Sequence, residues 1–271
     1  MSNRTNGSGH LMLITPERVF YVGLLGRPRQ RCSGAFHVYV AIEGAFHHVA
    51  EDGRETSGEL VVVQPNVRHT ITSDYRSVIC FMIEPESVPD GAFEALARRL
   101  AEQGELFARR IRAAYARFLE QPREGITSAE LDGMCLGEPL PQRALDPRVA
   151  RAIAQIMRFS GEPATAEACA TEAGLSASRF LHLFKQETGI SFRAFRAWKR
   201  ARHLLHFANQ DLNLAHLAQD IGYPDSTHFS HSIRRFYGLK PRAIFSGSRD
   251  LAIYRGRQPA QPDSAWTQEA S

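Results

Sequence analysis

Two stretches of this sequence repeat one another and carry side chains suited to reading a polyanion. Ser178, Arg179, Leu181, His182 and Lys185 lie in the first, and Thr227, Ser230, His231, Arg234 and Arg235 in the second. Hydroxyls, imidazoles and small apolar groups can meet base edges, while guanidinium and ammonium groups meet phosphates. A separate set, His37, Tyr39, Arg68 and His69, supplies hydrogen-bonding groups for a small-molecule pocket. Neither Phe36-His37-Val38-Tyr39 nor His47-His48 gives a His-x-His pair beside it. The cysteines, Cys32, Cys80, Cys135 and Cys169, show no Cys-x-x-Cys pair and read as isolated reduced thiols. No metal, cofactor or catalytic residue is expected.

The elements that must position the first set are helices. Thr165–Gly174 aligns with Asn213–Gly222: each starts on a helix-capping residue and has Ala four residues before a turn Gly. A second helix follows each Gly, and Gly189 and Gly238 then close the two units as C-caps. On these second helices Phe180, Leu183 and Phe184, and Phe229, Ile233 and Phe236, make the buried stripes. The ten polar-set residues fall on the other sides or at the edges. Cys169 aligns with Leu217 and is expected in the core. A helix over about 193–207, with Arg193, Arg196, Lys199, Arg200 and Arg202, joins the units and has Trp198, Ala201 and Leu205 as core contacts. Such a joint would hold two recognition helices about one DNA turn (~34 Å) apart.

The N-terminal half reads differently. Val19–Leu25, Ala35–Ile42, Glu59–Gln64 and Ser77–Ile83 are short β-rich runs between Gly and Pro turns. From Gly91 to Leu119 the period becomes helical, and a short helix is expected near Ser128–Met134. Asp146-Pro147 caps and opens the next helix. Leu106, Ile111, Tyr115 and Phe118 share one apolar stripe, which could pack on the strands or form a dimer seam. Charge divides in the same place. Residues 148–250 hold 15 Lys and Arg against 8 Asp and Glu, whereas residues 1–147 hold 16 Arg against 19 acids. The basic half is the one expected to face a polyanion. The polar N-terminus lacks a signal-like apolar region and no apolar run spans a bilayer, so a cytoplasmic location without membrane contact is expected.

The two-part run GLSASRFLHLFKQETG (174–189) and IGYPDSTHFSHSIRRFYGLKP (221–241) resembles the DNA-binding domain of AraC/XylS-type transcription regulators. The resemblance covers about a third of the chain. His182 and His231 stand where that family often has Arg, Phe192 where it often has Pro, and Ile233 where Phe is usual. Gly58–His69 resembles the second motif of the cupin-like barrels that precede this domain in many members. The resemblance implies an α+β chain of two domains, an N-terminal cupin-like β-barrel with flanking helices and a C-terminal all-α domain with two helix-turn-helix motifs. The expected bounds are a flexible arm at 1–10, the sensing and dimerising domain at 11–144, the DNA-binding domain at 145–250 and a flexible tail at 251–271. It implies a bacterial homodimeric regulator of promoter DNA, with a small-molecule effector and RNA polymerase as further candidate partners. The alternative is a cupin-type metalloenzyme with a DNA-binding appendage.

Overall fold

The computed structural model describes residues 9–27, 29–121, 124–159 and 164–257. Strands β1 (Leu11–Ile14), β2 (Arg18–Leu24), β3 (Phe36–Ala41), β6 (Leu60–Val63) and β8 (Ser77–Ile83) belong to one sheet, in the order β6-β3-β8-β2-β1. A last strand, β9 (Ala252–Arg255), completes it by pairing in parallel with β1. A second sheet has β4 (Phe46–Ala50) between β5 (Glu55–Gly58) and β7 (His69–Ser73). The four expected strands are present. The others escaped notice because they are short, and β4 and β5 expose most of their polar side chains.

The larger sheet is buried on both faces, which explains its near-continuous Val, Ile and Phe runs. One face, with Phe20, Val22, Phe36, Val38, Ile79 and Phe81, packs on α1 (Ala92–Glu102), α2 (Gly104–Glu120) and α3 (Ser128–Leu136). Thr127 and Glu130 make a reciprocal capping box that starts α3. A buried two-pronged pair, Arg18 Nε to Asp132 Oδ1 at 2.7 Å and Nη2 to Oδ2 at 2.9 Å, ties α3 to β2. In α2, Ile111 and Phe118 are fully buried against the sheet. These two therefore follow the packing alternative for the stripe, not the dimer seam; Leu106 and Tyr115 are half-buried, and the Tyr115 hydroxyl donates to the Gly9 carbonyl at 3.1 Å.

Helices α4 (Pro147–Ile156), α5 (Ala166–Glu172) and α6 (Ala177–Thr188) make the first unit. Asp146 caps α4 by accepting from the Arg148 amide, with Pro147 at the first helical position. The joining helix α7 runs Phe192–His203, followed by α8 (Leu214–Asp220), α9 (Ser226–Tyr237) and α10 (Pro241–Gly247). The first unit has its own core, built on Phe180, Phe184, Phe192 and Phe195. The second does not. Leu217, Phe229, Ile233 and Phe236 share one core with Tyr39, Cys80 and Met82 from inside the two-sheet half. The expected tail is corrected here as well: Leu251 and Tyr254 are buried and 252–255 is a strand, because the edge of β1 offers it unpaired backbone groups. The rest of that tail, from 258 on, and residues 1–8 of the expected arm lie outside the described residues.

Candidate nucleic-acid interface

Local sequence sets the two presenting helices. Ser176 caps α6 and Asp225 caps α9, the latter accepting from the Thr227 and His228 amides at 2.8 Å each. Both helices end on left-handed glycines, Gly189 at φ 74° and Gly238 at φ 70°. A side chain at either would be strained, so the two units stop after the same number of residues, 12 in each helix.

The burial stripes leave the expected residues outside. Ser178, Arg179, Leu181, His182 and Lys185 on α6, and Thr227, His231, Arg234 and Arg235 on α9, are exposed, with Ser230 half-buried. Leu181 is 40% exposed, an apolar group left on a polar face. Arg235 touches the two-sheet half through its backbone carbonyl, which accepts from the Cys32 amide at 2.8 Å, and its side chain stays exposed. Cys169 and Leu217 are both buried, as their alignment implies.

The basic joining helix behaves otherwise. Lys199 and Arg202 are buried and point at the two-sheet half, not outward. Glu84, at the end of β8, accepts from Trp198 Nε1 at 2.8 Å and from Lys199 Nζ, and Lys199 also pairs with Glu86. Arg202 Nε lies 2.8 Å from Glu84 Oε1 but off the N–H axis, so that contact is Coulombic. Its Nη2 donates to the Thr15 carbonyl at 2.7 Å. Burial pushes the Glu84 carboxyl up, but Lys199 and Arg202 together outweigh it and hold it below the usual range. Sequence reasoning missed Glu84. Its one signal was an acid directly following seven mostly apolar strand residues.

The pocket set is partly assembled. A cavity of about 240 Å³ lies where the two halves meet, lined by Met12, Met82, Leu205, Leu239, Ile244 and Leu251, with Arg31, His37 and Tyr39 among its polar groups. His37 Nδ1 is 3.0 Å from the Tyr39 hydroxyl and Nε2 is 2.6 Å from Ser33 Oγ. Arg68 is not part of this set: it is exposed and pairs with Glu51 at the surface. Its place is taken by Arg31, which sequence reasoning missed. Arg31 lies over the Tyr39 ring, 5.3 Å from its centroid, and its Nε donates to His69 Nε2 at 3.2 Å. His69 Nδ1 lies 3.0 Å from the Val67 carbonyl and must donate to it, so Nε2 is the lone-pair nitrogen and the ring is neutral. Burial first, then the Arg31 charge, pulls the His69 pKa down to about 4. Arg31 Nη2 is buried and has no hydrogen-bond partner. Among the described residues no group of three or more His, Cys, Asp or Glu could hold a metal ion. No helix among them is long and apolar enough to cross a membrane.

Comparison with known proteins agrees with this geometry. Residues 169–246 match a family model described as a helix-turn-helix domain. The chain is 34% identical over 111 residues to the HTH-type transcriptional activator RhaS of Escherichia fergusonii, covering 40% of this chain and 39% of that protein. The chain thus spans about 39% of the length of that curated relative. Among solved structures, ToxT from Vibrio cholerae aligns over 85% of this chain and 98% of its own, at 10% identity and a TM-score of 0.51. ToxT from Vibrio cholerae O395 bound to (E)-4-(8-methylnaphthalen-1-yl)but-3-enoic acid aligns with the same coverage, identity and TM-score. At that identity the likeness concerns the two-part fold.

Proposed function

We propose that this chain, whose residues 169–246 are a helix-turn-helix domain of AraC type, is a sequence-specific regulator of transcription that binds promoter DNA through α6 and α9. The observation that carries the reading is the repeated exposure. Two helices of equal length, each capped alike and closed by a glycine, present His182 and His231 at matching positions beside Lys185 and Arg234. Base edges are read by such short polar groups and phosphates are neutralised by the cations. With α7 as a fixed joint, the two helices would enter successive major grooves on one face of the duplex. The two-sheet half would modulate this binding, and dimerisation and contact with RNA polymerase would be its further interactions.

The cavity supports an effector of definite chemistry. Arg31, whose Nη2 is buried without a hydrogen-bond partner, lines a largely apolar cavity together with one other cation, Arg27. A buried donor on a cation is costly to leave unpaired. An apolar molecule with one anionic group would satisfy it.

The test is selection from a pool of random duplexes with the full-length protein. Enrichment of a two-part motif, its halves about one helical turn apart, is expected. Recovery of sequences without a shared motif would leave only non-specific phosphate binding and would reject the reading.

A further inference from the structure

The two helix-turn-helix units are not equivalent in how they are held. The second shares its core with the two-sheet half, and two backbone bonds reinforce this: the Arg29 amide donates to the Gly238 carbonyl at 2.9 Å and the Cys32 amide to the Arg235 carbonyl at 2.8 Å. The first unit keeps a separate core. Between it and the two-sheet half lies an open cleft of about 940 Å³, with Ile153 of α4 and Met157 just past its end on one wall and Glu17 and Ser128 on the other. Helix α7 is the element common to both sides. Phe192 and Phe195 sit in the first unit's core, while Trp198 and Ala201 sit in the shared core with Leu204 just past the helix end. Any rotation of α7 would therefore move α6 relative to α9.

A buried polar cluster resists that rotation, and Glu84 is its centre; Arg202 Nη2 also donates to the Thr15 and Arg18 carbonyls, Lys199 also pairs with Glu86, and α6 packs against residues 85–87. Trp198, Lys199 and Arg202 lie within about one turn of α7 and all converge on Glu84. Apolar packing tolerates small rotations, whereas a buried polar cluster is satisfied in one register. We infer that Glu84 is a positioning residue for DNA recognition. By holding the rotation of α7 it sets the separation of the two recognition helices, and so the spacing of the two base segments that the protein accepts. The two-sheet half thereby enters sequence specificity without touching DNA. This rests on the proposed DNA-binding function.

The experiment uses the full-length chain and a random duplex pool, with wild type, Glu84→Gln, and Glu84→Gln combined with Lys199→Met. The double variant removes anion and cation together, a change that buried pairs often tolerate, so it carries the test if Glu84→Gln fails to fold. Wild type is expected to select one spacer length and to lose about tenfold in affinity for each base pair added to it, the order of one mismatched pair. The folded variants are expected to select the same two half-motifs across two or more spacer lengths. Folded variants that keep the single spacer overturn the inference and leave the proposed function standing. A wild-type pool without a two-part motif overturns both.

Discussion

His182 and His231 occupy equivalent exposed positions on the two presenting helices. If each meets a base edge, replacing either by Ala should weaken the selected duplex by roughly 1–3 kcal/mol and relax base preference at one position. Arg234→Ala should instead weaken all duplexes alike and flatten the slope of log affinity against log salt by about 1. Competition binding at several salt concentrations separates the two results. Arg31 makes a second residue-scale prediction. Decanoate should raise the melting temperature of the full-length chain and decanol much less, and Arg31→Met should abolish the difference; equal shifts from both would refute the anion requirement. A third concerns pH. His69, His203 and His206 are each held near a pKa of about 4, with burial as the main cause. They are neutral in the folded protein, while the unfolded chain takes up protons as pH falls below about 6.5. Their stabilisation is therefore complete above about 6.5 and is lost as pH falls toward 4, by about 1.4 kcal/mol per pH unit for each proton taken up on unfolding. Melting curves across this range should show the decline, and His69→Gln should make it shallower.

At the scale of elements, β9 is the unexpected part. The chain leaves the second unit after α10 and returns to the two-sheet half, where Leu11 pairs with Ala252 and Ile14 with Arg255. This closes a loop around the second unit, with Tyr254 packed beside Leu11 and Leu13 in the core under the helices. Ending the chain after Asp250 removes a buried Leu and a buried Tyr together with one edge of ladder. Large-to-small losses of this kind cost roughly 2–5 kcal/mol each, so a fall in melting temperature of at least about 5 °C is expected. An unchanged melt would mean that the strand pairing adds nothing. The periodic stripe of α2 shows the limit of pattern reading at this scale. Ile111, Tyr115 and Phe118 do share a face, from which Leu106 is turned away, but the pattern is the same whether the apolar partner is a sheet or a second copy.

At the scale of the molecule, the expected domain boundary at residue 144 separates the core under α1–α3 from that of the first unit, but the third core crosses it. Trp198, Leu205 and Phe236 belong with Tyr39 and Met82. A fragment of residues 145–250 would expose that surface and strip Lys199 and Arg202 of Glu84. Such a fragment is expected to melt without a cooperative transition in its second half, while the first unit, with a core of its own, keeps its helices. A fragment that binds DNA and melts as cooperatively as the full chain would contradict the shared core.

The presenting helices were legible because their information is local. Caps, turn glycines and a 3.6-residue stripe are written within a dozen residues, and a second aligned copy confirmed the register of Phe180 with Phe229 and of His182 with His231. Cys169 was placed in the core by the same alignment. The other results depend on contacts between residues far apart in the chain. A sequence shows that Arg31, Glu84, Lys199 and Arg202 are charged, and charge alone reads as surface. Only the packing of α7 on the end of β8 buries Glu84 with its cations, and only the meeting of the two halves leaves Arg31 Nη2 without a partner. Thus the two exposed polar faces follow from the sequence. Their attachment, the second unit built into the two-sheet half and the first held through α7, was decided by tertiary structure, because side-chain burial depends on which distant surface arrives.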